Sequence, residues 1–333
     1  MIFLLAAVLA CNRGGGDFMA KSGADSAKVF LEEINRKITA DAENPALYLA
    51  RSQFYMKDRQ SDNALKDINR AITLQPNNPD LYITCADIYL QMGQVESARE
   101  ALNKGITADP GSKRALLAMA RLNLVIRDYP RTFEYIQKVL SLSNVYPEAY
   151  YSRAIAYLET GDTNKAVTDL LKAVDQNQAY YEALVQLGEL YSIRKDKIAA
   201  DYLKNALALK PNSREALYLL GMFYQSTNQY YPAIETYKRL RKSDSTFRNA
   251  PYNIGYICLV YLKDYPQAVL NFSAAIKTDP AYFEAYFNRG LANEMMGAYD
   301  KAYGDYQMAL KIKVNYQNAI DGLNRLDKLR VRK

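Results

Sequence analysis

The sequence predicts an all-α chain, an α-solenoid of helix hairpins, and three observations predict it. A period near 34 residues runs from Pro45 to Tyr316, a span of 272 residues that holds eight repeats. Small residues return at three fixed places in each repeat, with bulky residues between them. A period of this length marks a supersecondary unit that cannot bury its own apolar face and stacks on the next copy. The third observation is compositional. The 333 residues hold no His, no Trp and only three Cys, against 29 Tyr. That removes His-based catalytic triads and His metal sites, and it leaves too few cysteines for a disulfide framework. The net charge of +7 is too mild to mark a nucleic-acid surface.

Residues Ile2 to Ala10 are all apolar. Such a run is shorter than the about 20 residues that cross a bilayer, and it has the length of the apolar region of a secretory signal. It ends in Val8-Leu9-Ala10-Cys11. This resembles a bacterial lipoprotein signal, although no Lys or Arg precedes the run. The resemblance implies that Cys11 becomes a lipidated N-terminus, with a Gly-rich tether after it. Residues 1–17 are therefore read as signal and tether. Initiation at Met19 would instead give a cytosolic product. Residues 18–44 are read as an N-terminal capping helix, because Ser26 to Thr39 has helical period with Asp25 or Ser26 as its cap.

In residues 45–316 the second helix of each repeat opens on Ala64, Ala98, Thr132, Ala166, Ala199, Ala233, Ala268 and Ala302. Seven residues on stand Ala71, Gly105, Val139, Ala173, Ala206, Leu240, Ala275 and Ala309. On the first helix the matching small position is Ser52, Ala86, Ala120, Ala154, Gly188, Gly221, Gly255 and Gly290. Small residues there let two antiparallel helices approach closely. Ile68, Leu102, Ile136, Leu170, Leu203, Tyr237, Phe272 and Tyr306 fill the space between. Pro76, Pro110, Pro211 and Pro280 separate successive helices, and neighbouring Asn and Ser residues cap the helix that follows. The fifth repeat is one residue short and the seventh one residue long, with a bulge or kink expected between Pro251 and Tyr261. Residues 317–333 are read as a C-terminal capping helix with a polar outer face. Cys85 and Cys258 are expected to be buried thiols, five repeats apart.

This pattern resembles the tetratricopeptide repeat over those 272 residues. The resemblance implies a right-handed superhelix of about eight hairpins with a capping helix at each end. It also implies a concave groove lined by first helices, where extended or helical peptides of partners bind. Counting each repeat from its first residue (Pro45 in the first), positions 2, 5, 9, 12 and 13 point into that groove. The candidate partner-binding residues are Leu49, Ile83, Leu117, Tyr151, Val185, Tyr218 and Phe287 at position 5, with Asp87, Arg121 and Glu189 at position 9. Tyr151 and Tyr218, and after them Tyr180, Tyr181, Tyr231 and Tyr316, are the candidates for exposure once the packing tyrosines are set aside, with core the favoured reading for most. Acids gather at position 2, but the helix macrodipole favours them there, so the groove has no clear sign of charge. A clamp for chaperone C-terminal carboxylates is rejected, because Leu49, Gln53, Ile83 and Asp87 stand where that specialisation has Lys and Asn.

Three repeats carry Arg at position 7 and Asp sixteen residues later: Arg51 with Asp67, Arg153 with Asp169, and Arg289 with Asp305. The other five have neither. Joint presence or absence in eight of eight repeats predicts structural ion pairs across each hairpin.

No phosphate loop, zinc spacing or nucleophile elbow is present. The expectation is a non-enzymatic scaffold with no cofactor, no metal and no nucleic-acid partner. It would hold a protein or peptide in its groove and a membrane through lipid at Cys11, in the bacterial cell envelope, on the periplasmic face of the outer membrane. The alternatives are a glycan-binding lipoprotein of a nutrient-uptake system, or a cytosolic scaffold that starts at Met19.

Overall fold

The computed structural model describes residues 23–331. Cys11, with the signal and tether read at 1–17, lies outside the described residues. Within them the structure is all helical, without a strand. Helix α1 (Gly23–Ala40) precedes eight hairpins. These are α2 (Pro45–Lys57) with α3 (Ser61–Leu74), α4 (Pro79–Gln91) with α5 (Val95–Ala108), α6 (Lys113–Val125) with α7 (Tyr129–Leu142), and α8 (Pro147–Glu159) with α9 (Thr163–Gln176). Then come α10 (Tyr181–Ile193) with α11 (Ile198–Leu209), α12 (Arg214–Ser226) with α13 (Tyr230–Ser243), α14 (Asn249–Ile257) with α15 (Tyr265–Thr278), and α16 (Phe283–Met295) with α17 (Tyr299–Ile312). Helix α18 (Gln317–Val331) follows. The chain divides into two compact units at residue 178. Each unit holds four of the hairpins.

Local chemistry starts and stops these helices. The side chains of Asn44, Asn78, Ser112 and Ser213 accept hydrogen bonds from backbone N–H groups in the first turns of α2, α4, α6 and α12. Each first helix ends on a residue in the left-handed region: Arg59, Gly93, Arg127, Gly161, Lys195, Asn228, Lys263 and Gly297. Glycine holds that conformation without penalty, whereas a side chain makes it costly. The reversal bonds the backbone N–H of the next residue to a carbonyl five residues back, as in Gln60 to Tyr55 and Ala298 to Asn293. The predicted cap of α1 shifts. Asp25 and Ser26 fall inside a helix that begins at Gly23.

Both irregular repeats absorb their length change locally. In the seventh, α14 runs into a π-helical turn, Cys258–Leu262. The closing bond spans six residues, from Asp264 N–H to the Cys258 carbonyl at 2.9 Å, where the other repeats span five. The extra residue is thus a π-bulge and not a kink at Pro251, which sits in the first turn of α14. In the fifth repeat the missing residue comes from the start of α11. The Ala199 N–H reaches back three residues to Asp196 where Ala64 reaches back four to Gln60.

The hairpins close on their small residues. The second-helix alanines from Ala64 to Ala302 are fully buried, and so is Thr132 at the same place. Repeats one to four set Ser52, Ala86, Ala120 or Ala154 against Ile or Leu, the fifth sets Gly188 against Leu203, and repeats six to eight set glycine against an aromatic ring. A Cβ on Gly221 would stand 2.5 Å from Cε1 of the fully buried Tyr237, and one on Gly290 would stand 2.8 Å from Cε1 of Tyr306. The large second-helix ring therefore occupies the volume of a first-helix side chain. Cys85 and Cys258 are both buried free thiols in these cores.

The three Arg–Asp sets meet across their hairpins. Arg51 Nε and Nη2 donate to Asp67 Oδ2 and Oδ1 at 2.7 and 2.6 Å. Arg153 does the same to Asp169 at 2.6 and 2.9 Å. Arg289 donates to Asp305 at 3.0 and 2.6 Å. All three carboxylates are buried, and each guanidinium also lies over the position-4 tyrosine of its repeat, Tyr48, Tyr150 or Tyr286. Hydrogen bonding to Asp67 and Asp169 raises the guanidinium pKa of Arg51 and Arg153 further. These arginines are structural and leave no free donor fork for a ligand.

Gly221→Ala should destabilise the protein by about 1–3 kcal/mol, because the new methyl overpacks Tyr237. Adding Tyr237→Leu recreates the Ala86–Leu102 arrangement and should recover part of that loss. Urea denaturation of the two variants checks both effects.

Candidate partner-binding face

First helices touch the first helices of the next repeat at α2 with α4, α4 with α6, α6 with α8 and α10 with α12, and among the described residues no two second helices pack to the same extent. The first helices therefore form the more tightly apposed layer. Their outward positions carry the candidate residues. Leu49, Ile83, Asp87, Arg121, Glu189, Tyr218 and Phe287 are half-buried and retain surface on this face. Leu117, Tyr151 and Val185 correct the expectation, since each is only 4% exposed. Tyr180 and Tyr181 are likewise buried, not exposed. Position 5 lies against the residue that closes the same repeat, so neighbouring bulk decides whether it reaches solvent. In repeat three, Leu117 is covered in part by Tyr146.

The second unit carries an aromatic ladder on this face. Tyr218 meets Phe247 edge-on at 5.3 Å between ring centroids, Tyr252 stacks on Tyr282 at 4.8 Å, and Phe287 meets Tyr316 edge-on at 5.4 Å. The same position-5 to repeat-end contact thus recurs in three consecutive repeats. Such pairs hold rings in fixed orientations and add to the burial energy. Tyr252 is a residue that the sequence reading missed. Its place at position 5 of repeat seven was readable by counting, but the extra residue in that repeat obscured the first helix. Asn288 Nδ2 donates to the Tyr252 hydroxyl at 2.9 Å, and burial raises the Tyr252 phenol to about 12. The neighbouring acids differ in their ties. Lys210 pairs with Glu182 at 3.4 Å, whereas burial, with Glu189 and Glu182 nearby, raises the carboxyl of Glu215.

The first unit carries a recess of about 170 Å³ between α4 and α6, with Tyr146 and Glu148 also on its lining. Ile83, Leu90, Leu117, Leu122 and Val125 give it aliphatic walls, which share the lining with Asp87, Arg114, Arg121 and Glu148. Arg114, at its rim, is tied to Asp80 at 2.5 Å. Two polar groups in the recess are not so satisfied. Asp87 makes no hydrogen bond among the described residues, and burial pushes its carboxyl up to about 6, against the pull of Arg121 in the other direction. Arg121 Nε donates to Ser152 Oγ at 3.4 Å, and Ser152 Oγ is itself anchored on the Glu148 carbonyl at 2.8 Å. Arg121 Nη2 is buried with no hydrogen-bond partner among the described residues. A buried guanidinium nitrogen without a partner, and a half-buried carboxylate stripped of part of its water, each carry an energetic cost. Perturbed ionisation of this kind gathers at functional sites. Among the described residues no three His, Cys, Asp or Glu side chains converge as a metal site, and no helix is long and apolar enough to cross a membrane.

Folding raises the Asp87 pKa from the ordinary aspartate value near 4 to about 6. The native state therefore binds more protons than the unfolded chain between these values. Its contribution to stability is present below pH 4 and is lost as pH rises through 6. Asp87→Asn should stabilise the protein by about 2 kcal/mol at pH 7.5. The gain should vanish below pH 4, as measured by denaturation midpoints across that range.

Family models described as tetratricopeptide repeat match residues 55–122 and 147–180, and one described as TPR repeat matches 258–297. A model described as anaphase-promoting complex, cyclosome, subunit 3 matches 194–275. The chain is 24% identical to U-box domain-containing protein 70 of Oryza sativa subsp. japonica over 214 residues, which are 63% of this chain and 26% of that protein. It is 20% identical to Hsp70-Hsp90 organizing protein 3 of Arabidopsis thaliana over 243 residues, 60% of this chain and 42% of the relative. It spans less than half the length of either. The crystal structure of a tetratricopeptide repeat protein from Parabacteroides merdae ATCC 43184 covers 74% of this chain, and 98% of that structure is covered in turn, at 16% identity and a TM-score of 0.49. With eight hairpins in register and family models for the repeat matching residues 55–122, 147–180 and 258–297, the chain carries tetratricopeptide repeats.

Proposed function

We propose that this chain is a non-enzymatic scaffold that holds a protein partner along the first-helix faces of its repeats. We further propose that acylated Cys11 anchors it in a bacterial envelope, on the periplasmic side of the outer membrane. The observation that carries the binding role is the aromatic ladder. Tyr218, Tyr252 and Phe287 are held by ring contacts in three successive repeats and still retain surface. Rigid, half-buried aromatics give much contact area at small entropic cost, which is why they dominate binding hot spots. Relatives that include an Hsp70-Hsp90 organizing protein support the same class of role. The anchor rests on Val8-Leu9-Ala10-Cys11 and on the membrane affinity that acyl chains supply, about 0.8 kcal/mol for each buried methylene.

Crosslinking of intact cells followed by recovery of the chain tests the binding role. The double substitution Tyr218→Ala/Tyr252→Ala should reduce partner recovery at least tenfold while the helical circular-dichroism signal stays. Equal recovery with the fold intact would remove this face from the interaction.

Cys11→Ser should move the protein from the membrane fraction to the soluble fraction. Membrane association that survives the substitution would rule out the lipid anchor, and a wild-type chain found only in the soluble fraction would favour initiation at Met19.

A further inference from the structure

We propose that the recess between α4 and α6 is a subsite for the side chain of a glutamine in the partner polypeptide. Its carbonyl would accept from Arg121 and its amide N–H would donate to Asp87. The inference rests on the protein-binding reading above and adds the chemistry of one subsite.

Asp87 and Arg121 occupy position 9 of consecutive first helices, so they face the same space. They influence each other electrostatically yet form no ion pair within 4.0 Å. Arg121 Nε donates to Ser152 Oγ, and Nη2 is buried without a hydrogen-bond partner among the described residues. An apolar side chain entering here would strip the remaining water from both groups and give neither a partner. A carboxylate would suit Arg121 but bring like charge against Asp87, with Glu148 also on the lining. A lysine or arginine would suit Asp87 and repel Arg121, with Arg114 close by. A carboxamide has both an acceptor and donors and carries no charge, so it satisfies both groups at once.

The walls then choose between the two carboxamide residues. Leu90, Leu117 and Val125 line the approach. Two methylenes of glutamine lie against such walls while its head reaches the polar pair, and asparagine has only one. A recess of about 170 Å³ has room for one side chain.

The test uses the full chain in detergent and an array of nine-residue peptides. Each peptide has one fixed central residue, all twenty in turn, within mixed flanking positions. Peptides with central Gln should bind at least tenfold more strongly than those with central Glu, Lys or Leu. Asp87→Leu/Arg121→Met should lose that preference and favour central Leu. Asp87→Asn, which keeps the shape, should weaken the Gln preference without inverting it. Binding of peptides with no central preference, or with Glu or Lys preferred, would overturn the subsite and leave the protein-binding role standing. Absence of binding by every peptide, together with unchanged crosslinking in the Tyr218→Ala/Tyr252→Ala chain, would overturn both.

Discussion

Close approach of two helices across small residues is the constraint on which the rest of this structure depends. The buried alanines of the second helices set how near the partner helix can come. What fills the remaining space is then a matter of volume, not of residue identity. Repeats one to four divide that volume between Ser or Ala on one helix and Ile or Leu on the other, and repeats six to eight give it to a ring on the second helix. Tyr237, Phe272 and Tyr306 are the extreme cases, three full aromatic rings seated on bare glycine backbone. Close packing makes such sites intolerant of even one added carbon. It also explains how a repeating fold accepts large changes in sequence when they come in compensating pairs.

The same constraint explains where length changes are tolerated. The contact between small positions cannot slip without pushing a large side chain into a backbone. The extra residue of the seventh repeat therefore appears as a π-turn beyond the last close contact, at Cys258–Leu262. The missing residue of the fifth is taken from the first turn of α11, before Ala199. Left-handed residues at the end of every first helix keep the reversal geometry the same. Glycine fills that place in only three repeats, so five repeats carry backbone strain at the hairpin tip.

Packing uses one side of each first helix and leaves the other to face outward. On that outward side the two units diverge in chemistry. The second unit stacks rings on rings, so its apolar surface is rigid and partly satisfied already. The first retains Asp87 and Arg121 in a recess with aliphatic walls, where their neighbours Asp80 and Arg114 are paired with each other. Arg51, Arg153 and Arg289 show what the chain does with a guanidinium that serves structure: a two-pronged hydrogen bond to a buried carboxylate and a tyrosine ring against it. Arg121 has neither, and that contrast within one fold separates a binding group from a packing group.

The sequence by itself determined the hairpins, because small residues at a 34-residue spacing can bury an apolar face only by pairing and stacking helices. It also placed Arg and Asp together in three repeats, since two positions filled jointly or not at all must respond to one contact. Exposure along the first-helix face was decided only by the tertiary structure. Leu117, Tyr151 and Val185 share their repeat position with Tyr218 and Phe287, yet they are covered and those two are not. A repeat position fixes the direction of a side chain, but burial depends on the size of what meets it from elsewhere in the chain. The unpartnered state of Arg121 Nη2 and the raised pKa of Asp87 are of the same kind. No spacing along a single chain encodes what is missing from around a buried charge.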